Sequence, residues 1–286
     1  MFFEIHTPPD ELRPYIYRYV FVHAEGSTDT MTPPADDPRF VDGKHVQPLL
    51  PNYGCLIFVR NAVAEINGVL SDGLVLLGAN QAMGSVTTVS GWFSGMLVDF
   101  EPGGMRALLG VDMQRLSGRV LTAREYGGDA LLRCDAIFKN TLAAPDIARL
   151  LTPVFLSLMP GCVDPDYARL RNVIAACDEA RGDISVAGMA EAACLSERQF
   201  LRLLRKYVGL SPKQFIRLRR FHSTIQDMQR QAAQDSSVDL LATVIRHGYY
   251  DLSHAALEFH DMGCVSPSQF RLLGIPLTDD FSVFFA

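Results

Sequence analysis

Paired cysteines, clustered histidines and long apolar runs are all missing from this sequence, and each absence removes a class of function. The six cysteines, Cys55, Cys134, Cys162, Cys177, Cys194 and Cys264, are widely scattered. None forms a C-x-x-C pair or stands at zinc-site spacing from a histidine, so neither a disulfide framework nor a structural zinc is expected. Free buried thiols in a reducing compartment are the expectation. In the first half the histidines are His6, His23 and His45, with no H-x-H pair to hold a catalytic metal. No G-x-S-x-G, P-loop or zinc-protease pattern occurs. The chain therefore reads as a non-enzyme, without cofactor or metal. No apolar run approaches the roughly 18 residues that span a bilayer, and no secretory leader is apparent. A cytoplasmic protein without membrane association is expected. The single tryptophan, Trp92, is read as core or as a ligand-stacking ring.

What is present is enough for two cores. The chain has 286 residues, and a domain takes roughly 150. The net charge of -6 argues against nucleic acid until charge is counted locally. From Ser196 to Ile225 there are eight basic residues: Arg198, Arg202, Arg205, Lys206, Lys213, Arg217, Arg219 and Arg220. The only acid among them is Glu197. A local basic stripe, rather than the chain average, is what meets a phosphate backbone.

The first half reads as β-rich. Short apolar runs lie at Cys55–Val59, Leu74–Gly78, Val86–Val89 and Trp92–Phe100, with tight-turn dipeptides at Asn67-Gly68 and Asp72-Gly73. This spacing suggests a sandwich or small barrel. Residues 24–44 read as a loop. Pro102-Gly103-Gly104 leads into a helix from Met105 to Leu109. Its amides are read either as an anion cradle or as a plain strand-to-helix turn. Residues 142–159 are expected to be helical, turned or kinked at Pro145 and Pro153. A domain boundary is placed near residue 162, where Pro160-Gly161 and Asp164-Pro165 break the pattern.

Beyond it the period is helical. Helices are expected over 167–181, from Ser185 to Ala193, over 197–208, from Pro212 to about Gln234, over 240–247 and over 252–260. Ser185, Ser196 and Ser211 serve as N-caps, and Pro212 suits a first helical turn. Two copies of one pattern follow in order. The first is Ala190, Cys194-Leu195-Ser196, Phe200, Gly209-Leu210-Ser211-Pro212 and Phe215. The second is Val244, Gly248-Tyr249, Phe259, Cys264-Val265-Ser266-Pro267 and Phe270. Two short helices, a tight turn and a capped third element describe a helix-turn-helix unit, which sets its second helix into a major groove.

From Asp183 to Arg271 this pattern resembles the AraC/XylS family of transcription regulators. More faintly, Phe100-Glu101-Pro102-Gly103-Gly104 with Leu108-Leu109-Gly110-Val111 resembles the cupin-like domain that precedes such DNA-binding regions. The implied fold is α+β in two domains. Residues 1–162 form a cupin-like sandwich or barrel with flanking helices, for effector binding, dimerisation or both. Residues 163–275 form an all-α domain with two helix-turn-helix units, and 276–286 an apolar tail that packs on the protein or on a partner.

The resemblance assigns base contacts to Arg198, Leu201 and Arg202 in the first unit and to Ser253 and His254 in the second. Ser196, Arg205, Lys206, Lys213, Arg217 and Arg219 are assigned to phosphates or positioning. Ala190, Phe200, Gly209, Pro212, Arg220, Gly248, Phe259 and Pro267 are structural, with Arg220 read as an ion-pair tie between the units. His254 is read as base contact or as cap. The second unit departs from the family pattern at Val244, Ala255, Leu257 and Cys264, and Glu258 and Asp261 add negative charge to its reading helix. Weak reading of bases is therefore expected there. The implied partners are double-stranded DNA, a small-molecule effector, RNA polymerase and a second copy of the chain. Control by a protein partner is the alternative, and a cupin-type enzyme fused to a DNA-binding module is a further one.

Overall fold

The computed structural model describes residues 2–23, 40–41, 44–49, 52–80, 84–162, 164–180, 183–233, 238–262 and 266–268. The Trp92 side chain, Cys264, Phe270, Arg271 and the apolar tail lie outside the described residues.

The first half is built on antiparallel strands: β1 (Phe2–His6), β2 (Ile16–His23), β3 (Phe40–Val41), β4 (Lys44–Leu49), β5 (Asn52–Ile66), β6 (Val69–Ser71), β7 (Val75–Asn80), β8 (Gly84–Phe100) and β9 (Val120–Thr122). The main path of the sheet runs β1-β2-β8-β5-β7-β9. Its spine is the long pair β5 and β8. The sequence breaks both strands into shorter runs because polar and glycine residues interrupt their middles. The ladder passes through these interruptions as bulges, with register shifts between Arg60 and Ala62 and between Val63 and Ala64. Asn61 takes a φ of 60° there, and such bulges bend a strand. At the Asn67-Gly68 turn both residues have positive φ, as a two-residue hairpin requires. Strands β1, β2 and β4 carry no clean alternation and are not legible in the sequence.

Alternate residues of β5 enter two apolar clusters. Leu56 and Phe58 face the helices. Cys55, Ile57 and Val59 join Val20, Val75 and Leu97, together with Ala62, Ala64 and Ile66 from the far half of the same strand. Four short or medium helices surround the sheet: α1 (Gly104–Leu109), α2 (Met113–Leu116), α3 (Ala123–Tyr126) and α4 (Asp129–Asn140). A fifth, α5 (Ala144–Ser157), holds Pro145 in its first turn and Pro153 inside it, so Pro145 starts this helix and does not kink it. Arg60 is buried beneath α4. Its guanidinium donates to the Phe138 carbonyl at 2.9 Å, to the Thr141 carbonyl and to Ser94 Oγ. A cation thus satisfies the carbonyls that a helix C-terminus leaves unpaired.

The second half comprises α6 (Pro165–Glu179), α7 (Val186–Ala192), α8 (Glu197–Tyr207), α9 (Pro212–Ala233), α10 (Leu240–Arg246) and α11 (Leu252–Asp261). Ser185 and Ser196 cap their helices as expected, the latter with a full capping box to Gln199. Ser211 and Gln214 exchange the same pair of bonds at the start of α9.

Helix α5 ends at Ser157 and α6 begins at Pro165, yet the core continues across that break. Tyr15 stacks on Tyr167 at 5.4 Å, and Tyr167 on Tyr207 at 6.0 Å. The Tyr167 hydroxyl donates to the Pro14 carbonyl. The Pro102-Gly103-Gly104 segment is the turn on which the halves meet. A Cβ at Gly103 would stand 2.6 Å from Leu170, and one at Gly104 only 2.0 Å from the Tyr15 carbonyl oxygen. Gly209 makes the same kind of contact from the other side. Its φ is +83°, and an added Cβ would lie 2.5 Å from the Met113 carbonyl oxygen. Close approach at these glycines lets α8 dock on α1 and α2.

Of the thiols, Cys55, Cys134 and Cys177 are buried as expected, but Cys162 and Cys194 are exposed. Both stand in turns, where no core closes over them.

Candidate nucleic-acid interface

Two turns set up the interface. In the first, Cys194 adopts a φ of +53° and the Leu195 amide donates to the Ala190 carbonyl at 2.9 Å. In the second, Gly248 adopts +77° and the Tyr249 amide donates to the Val244 carbonyl at 3.1 Å. A single left-handed residue reverses the chain in each, which glycine accepts without strain and cysteine does not. Ala190 and Val244 are both buried, each in the first helix of its pair. Each second helix is anchored by a fully buried phenylalanine, Phe200 in α8 and Phe259 in α11.

On α8 the inward face is Phe200, Leu203, Leu204 and Tyr207. The outward face carries Arg198, Arg202 and Arg205, all exposed, with Leu201 partly so. Spacings of four and three residues put the arginines on one stripe. Lys213, at the start of α9, is exposed as well. None of these four cations has an ion-pair partner among the described residues.

The remaining basic residues turn inward. Lys206 pairs with Asp166 at 3.0 Å and lies over the Tyr207 ring. Arg217 reaches Glu258 at 3.3 Å and Asp261 at 3.1 Å. Arg219 pairs with Asp178 and lies over the Tyr53 ring, largely buried at the junction of the two halves. Arg220 approaches Glu258 at 3.7 Å and lies over the Tyr249 ring. The acids Glu258 and Asp261 are thus partners of the linking helix rather than free negative charge on the reading face. Nothing in the sequence around them shows this, because the pairs join residues far apart in the chain.

Helix α11 presents different chemistry. Asp251 is its cap, accepting the His254 amide at 2.7 Å. His254 Nδ1 in turn accepts the Tyr250 amide at 3.1 Å, so that ring nitrogen supports the turn. Ser253 is exposed, and Leu257 and Tyr250 are 68% and 87% exposed. Pro267 is buried at the onset of the last described helical turn.

Asp164 joins α8 to α6. It caps α6 through the Asp166 amide and accepts the Tyr207 hydroxyl from α8. Burial opposes its ionisation, but these bonds and nearby Lys206 hold its carboxyl below the usual range. Asp227 on α9 does the same for α10. Burial opposes ionisation there too, and hydrogen bonds from His247 and Arg246 outweigh it.

Residues 189–272 match the model of a helix-turn-helix domain. This segment thus carries a helix-turn-helix domain. A stretch of 99 residues of this chain is 27% identical to an uncharacterized HTH-type transcriptional regulator of Haemophilus influenzae, over 35% of the chain and 32% of that relative. The match therefore spans about a third of the relative's length. Among solved structures, ToxT from Vibrio cholerae has a TM-score of 0.45 at 12% identity, over 80% of this chain and 97% of that one. ToxT solved with unsaturated fatty acid bound has the same TM-score at 11% identity, over 80% and 94%. The AraC-like transcriptional activator CuxR has a TM-score of 0.29 at 12% identity, over 77% and 85%. The domain and the relative are of a regulatory kind, not an enzymic one. Among the described residues no three His, Cys, Asp or Glu side chains gather as a metal site would need. Among them, too, no helix is long and apolar enough to cross a membrane.

Proposed function

We propose that this chain is a sequence-specific DNA-binding transcription regulator whose first helix-turn-helix unit does most of the base reading. The observation that carries this is the stripe of exposed, unpaired arginines on α8, held outward by a tight turn. Arg198 and Arg202 read base edges, where arginine pairs with guanine O6 and N7, and Leu201 packs on a thymine methyl. Arg205 and Lys213 hold phosphates, and Ser196 fixes the helix start. Lys206, Arg217 and Arg219 serve structure, since each already has an acidic partner. In the second unit Ser253, His254 and Leu257 supply shape and apolar contact.

Residues 1–162 are the controlling domain, cupin-like in the bend of its sheet around an aliphatic interior. Residues 163–275 are the reader, which shares a core with the controlling domain, so a change in one is felt by the other. A small-molecule effector sets the state. A second copy and RNA polymerase are its macromolecular partners besides DNA.

The test is binding of the full chain to a duplex selected from a random pool, titrated between about 50 and 200 mM salt. Each neutralised phosphate contributes about -0.9 to the slope of log K against log salt. Affinity independent of salt contradicts the reading.

A further inference from the structure

A cavity of about 350 Å³ lies where the sheet, the linking helix and the second unit meet. One wall is a single face of α9: Arg219, Ser223, Gln226 and Arg230, at spacings of four, three and four residues. These span about 16 Å along the helix. Glu101 closes the sheet side, and Arg246 at the end of α10 the side of the second unit.

The charges in this cavity are not equivalent. Arg219 is held by Asp178, and Asp227 is shared between Arg246 at 2.8 Å and His247 at 3.1 Å. Those acids are neutralised by their partners and do not bar an anion. Glu101 is half-buried, and desolvation pushes its carboxyl above the usual range against the pull of Arg219 and Arg171. Arg230 is exposed and has no ion-pair partner among the described residues. The Arg230 guanidinium is an uncommitted fork for anionic oxygens, and Arg246, held to Asp227 through one nitrogen, lines the same cavity with further N–H groups. Between the two ends of the stripe, Ser223 and Gln226 offer neutral hydrogen bonding. A hydrocarbon ligand would strand these polar groups without water, at a cost an oxygen-rich ligand avoids. The volume lies at the small end of the ligand-site range, about 300–1,000 Å³.

We propose that this cavity binds a small polar molecule with one anionic headgroup, carboxylate or phosphate, held by Arg230 with Arg246. Gln226 and Ser223 hydrogen-bond its hydroxylated body. That such a ligand acts as an effector rests on the DNA-binding reading; that it binds does not.

The experiment is calorimetric titration of the full chain with glucose 6-phosphate, gluconate, inorganic phosphate and neutral glucose. Saturable binding at one molecule per chain is expected for glucose 6-phosphate or gluconate, and the stronger of the two names the headgroup. Glucose should bind at least tenfold more weakly than that probe. Arg230→Ala should weaken binding tenfold or more, and Gln226→Ala by a smaller factor. Arg230 is exposed, so its variant should keep the wild-type circular dichroism and its affinity for duplex DNA without probe. No saturable heat with either sugar acid overturns the site, as does equal binding of glucose or an unaffected Arg230→Ala. Inorganic phosphate binding as tightly as glucose 6-phosphate overturns the roles of Gln226 and Ser223. A chain that binds the probes but no DNA would contradict the regulator reading and leave the site standing.

Discussion

The two helix-turn-helix units share a backbone and differ in what they show to solvent. Each turns on one left-handed residue, closes its turn with an amide-to-carbonyl bond of about the same length, and buries a phenylalanine under its second helix. On the first, the exposed stripe is Arg198, Arg202 and Arg205; on the second it is Ser253 and Leu257 beside Tyr250. The linking helix widens this difference. Arg217 and Arg220 bind the acid of the second reading helix, and so spend their charge on holding the units together. A repeat in sequence therefore fixes a shape twice without fixing a role twice. A count of basic residues overstates the surface open to phosphate.

The docking of the first unit separates it most sharply from the second. Gly209→Ala places a methyl against the Met113 carbonyl at a φ of +83°. A loss of about 2–4 kcal/mol in urea unfolding is expected from clash and strain together. At Gly248, φ +77°, the added Cβ meets only Asp183 at 3.4 Å, and a loss of about 1 kcal/mol is expected. Equal losses would mean that α8 does not lean on the sheet domain.

Paired and unpaired cations should part in salt titrations. Lys213→Ala should make the salt slope of DNA binding shallower by about 1. Arg217→Ala should leave the slope unchanged and lower stability by about 1 kcal/mol, a modest figure because the pair is partly exposed. A slope change from Arg217→Ala would return it to the phosphate set.

Acid should loosen both units through their aspartates. Asp164 and Asp227 have carboxyls held below the usual range, so the folded state binds their protons less readily than the unfolded chain. Their contribution is full above the unfolded carboxylate range, near pH 4, and is lost as pH falls through their folded values. Asp227→Asn should therefore lower stability at pH 7 and reduce its loss below pH 4. Parallel stability curves for variant and wild type would contradict this. The smallest effect is expected at Cys194. Glycine there removes left-handed strain but adds unfolded-state freedom, for a net gain of about 0.5 kcal/mol.

The reading half was legible because its signals are local. Ser185 and Ser196 are caps in both sequence and structure, and the helices begin within a residue or two of where the periodicity places them. The sheet half was legible only in its apolar runs. Strands β5 and β8 carry polar residues at bulges, so each looks broken although its pairing continues. Helices α2 and α3 are single turns, too short for a periodic signal, whereas α4 carries Leu131, Cys134 and Phe138 at helical spacing, a pattern the sequence reading passed over. The roles of individual arginines were the least legible. Whether Arg219 meets a phosphate or Asp178 is decided by a residue 41 positions away in another helix, about which local sequence says nothing.

The most direct test of unequal reading is a specificity profile for two variants on one selected duplex. Arg202→Ala should weaken specific binding by about 1–3 kcal/mol and relax preference at one or two base pairs. Leu257→Ala, in the second unit, should leave the profile unchanged, with circular dichroism confirming that both variants are folded. Equal loss of specificity from both changes, or an unchanged profile in folded Arg202→Ala, would contradict the account.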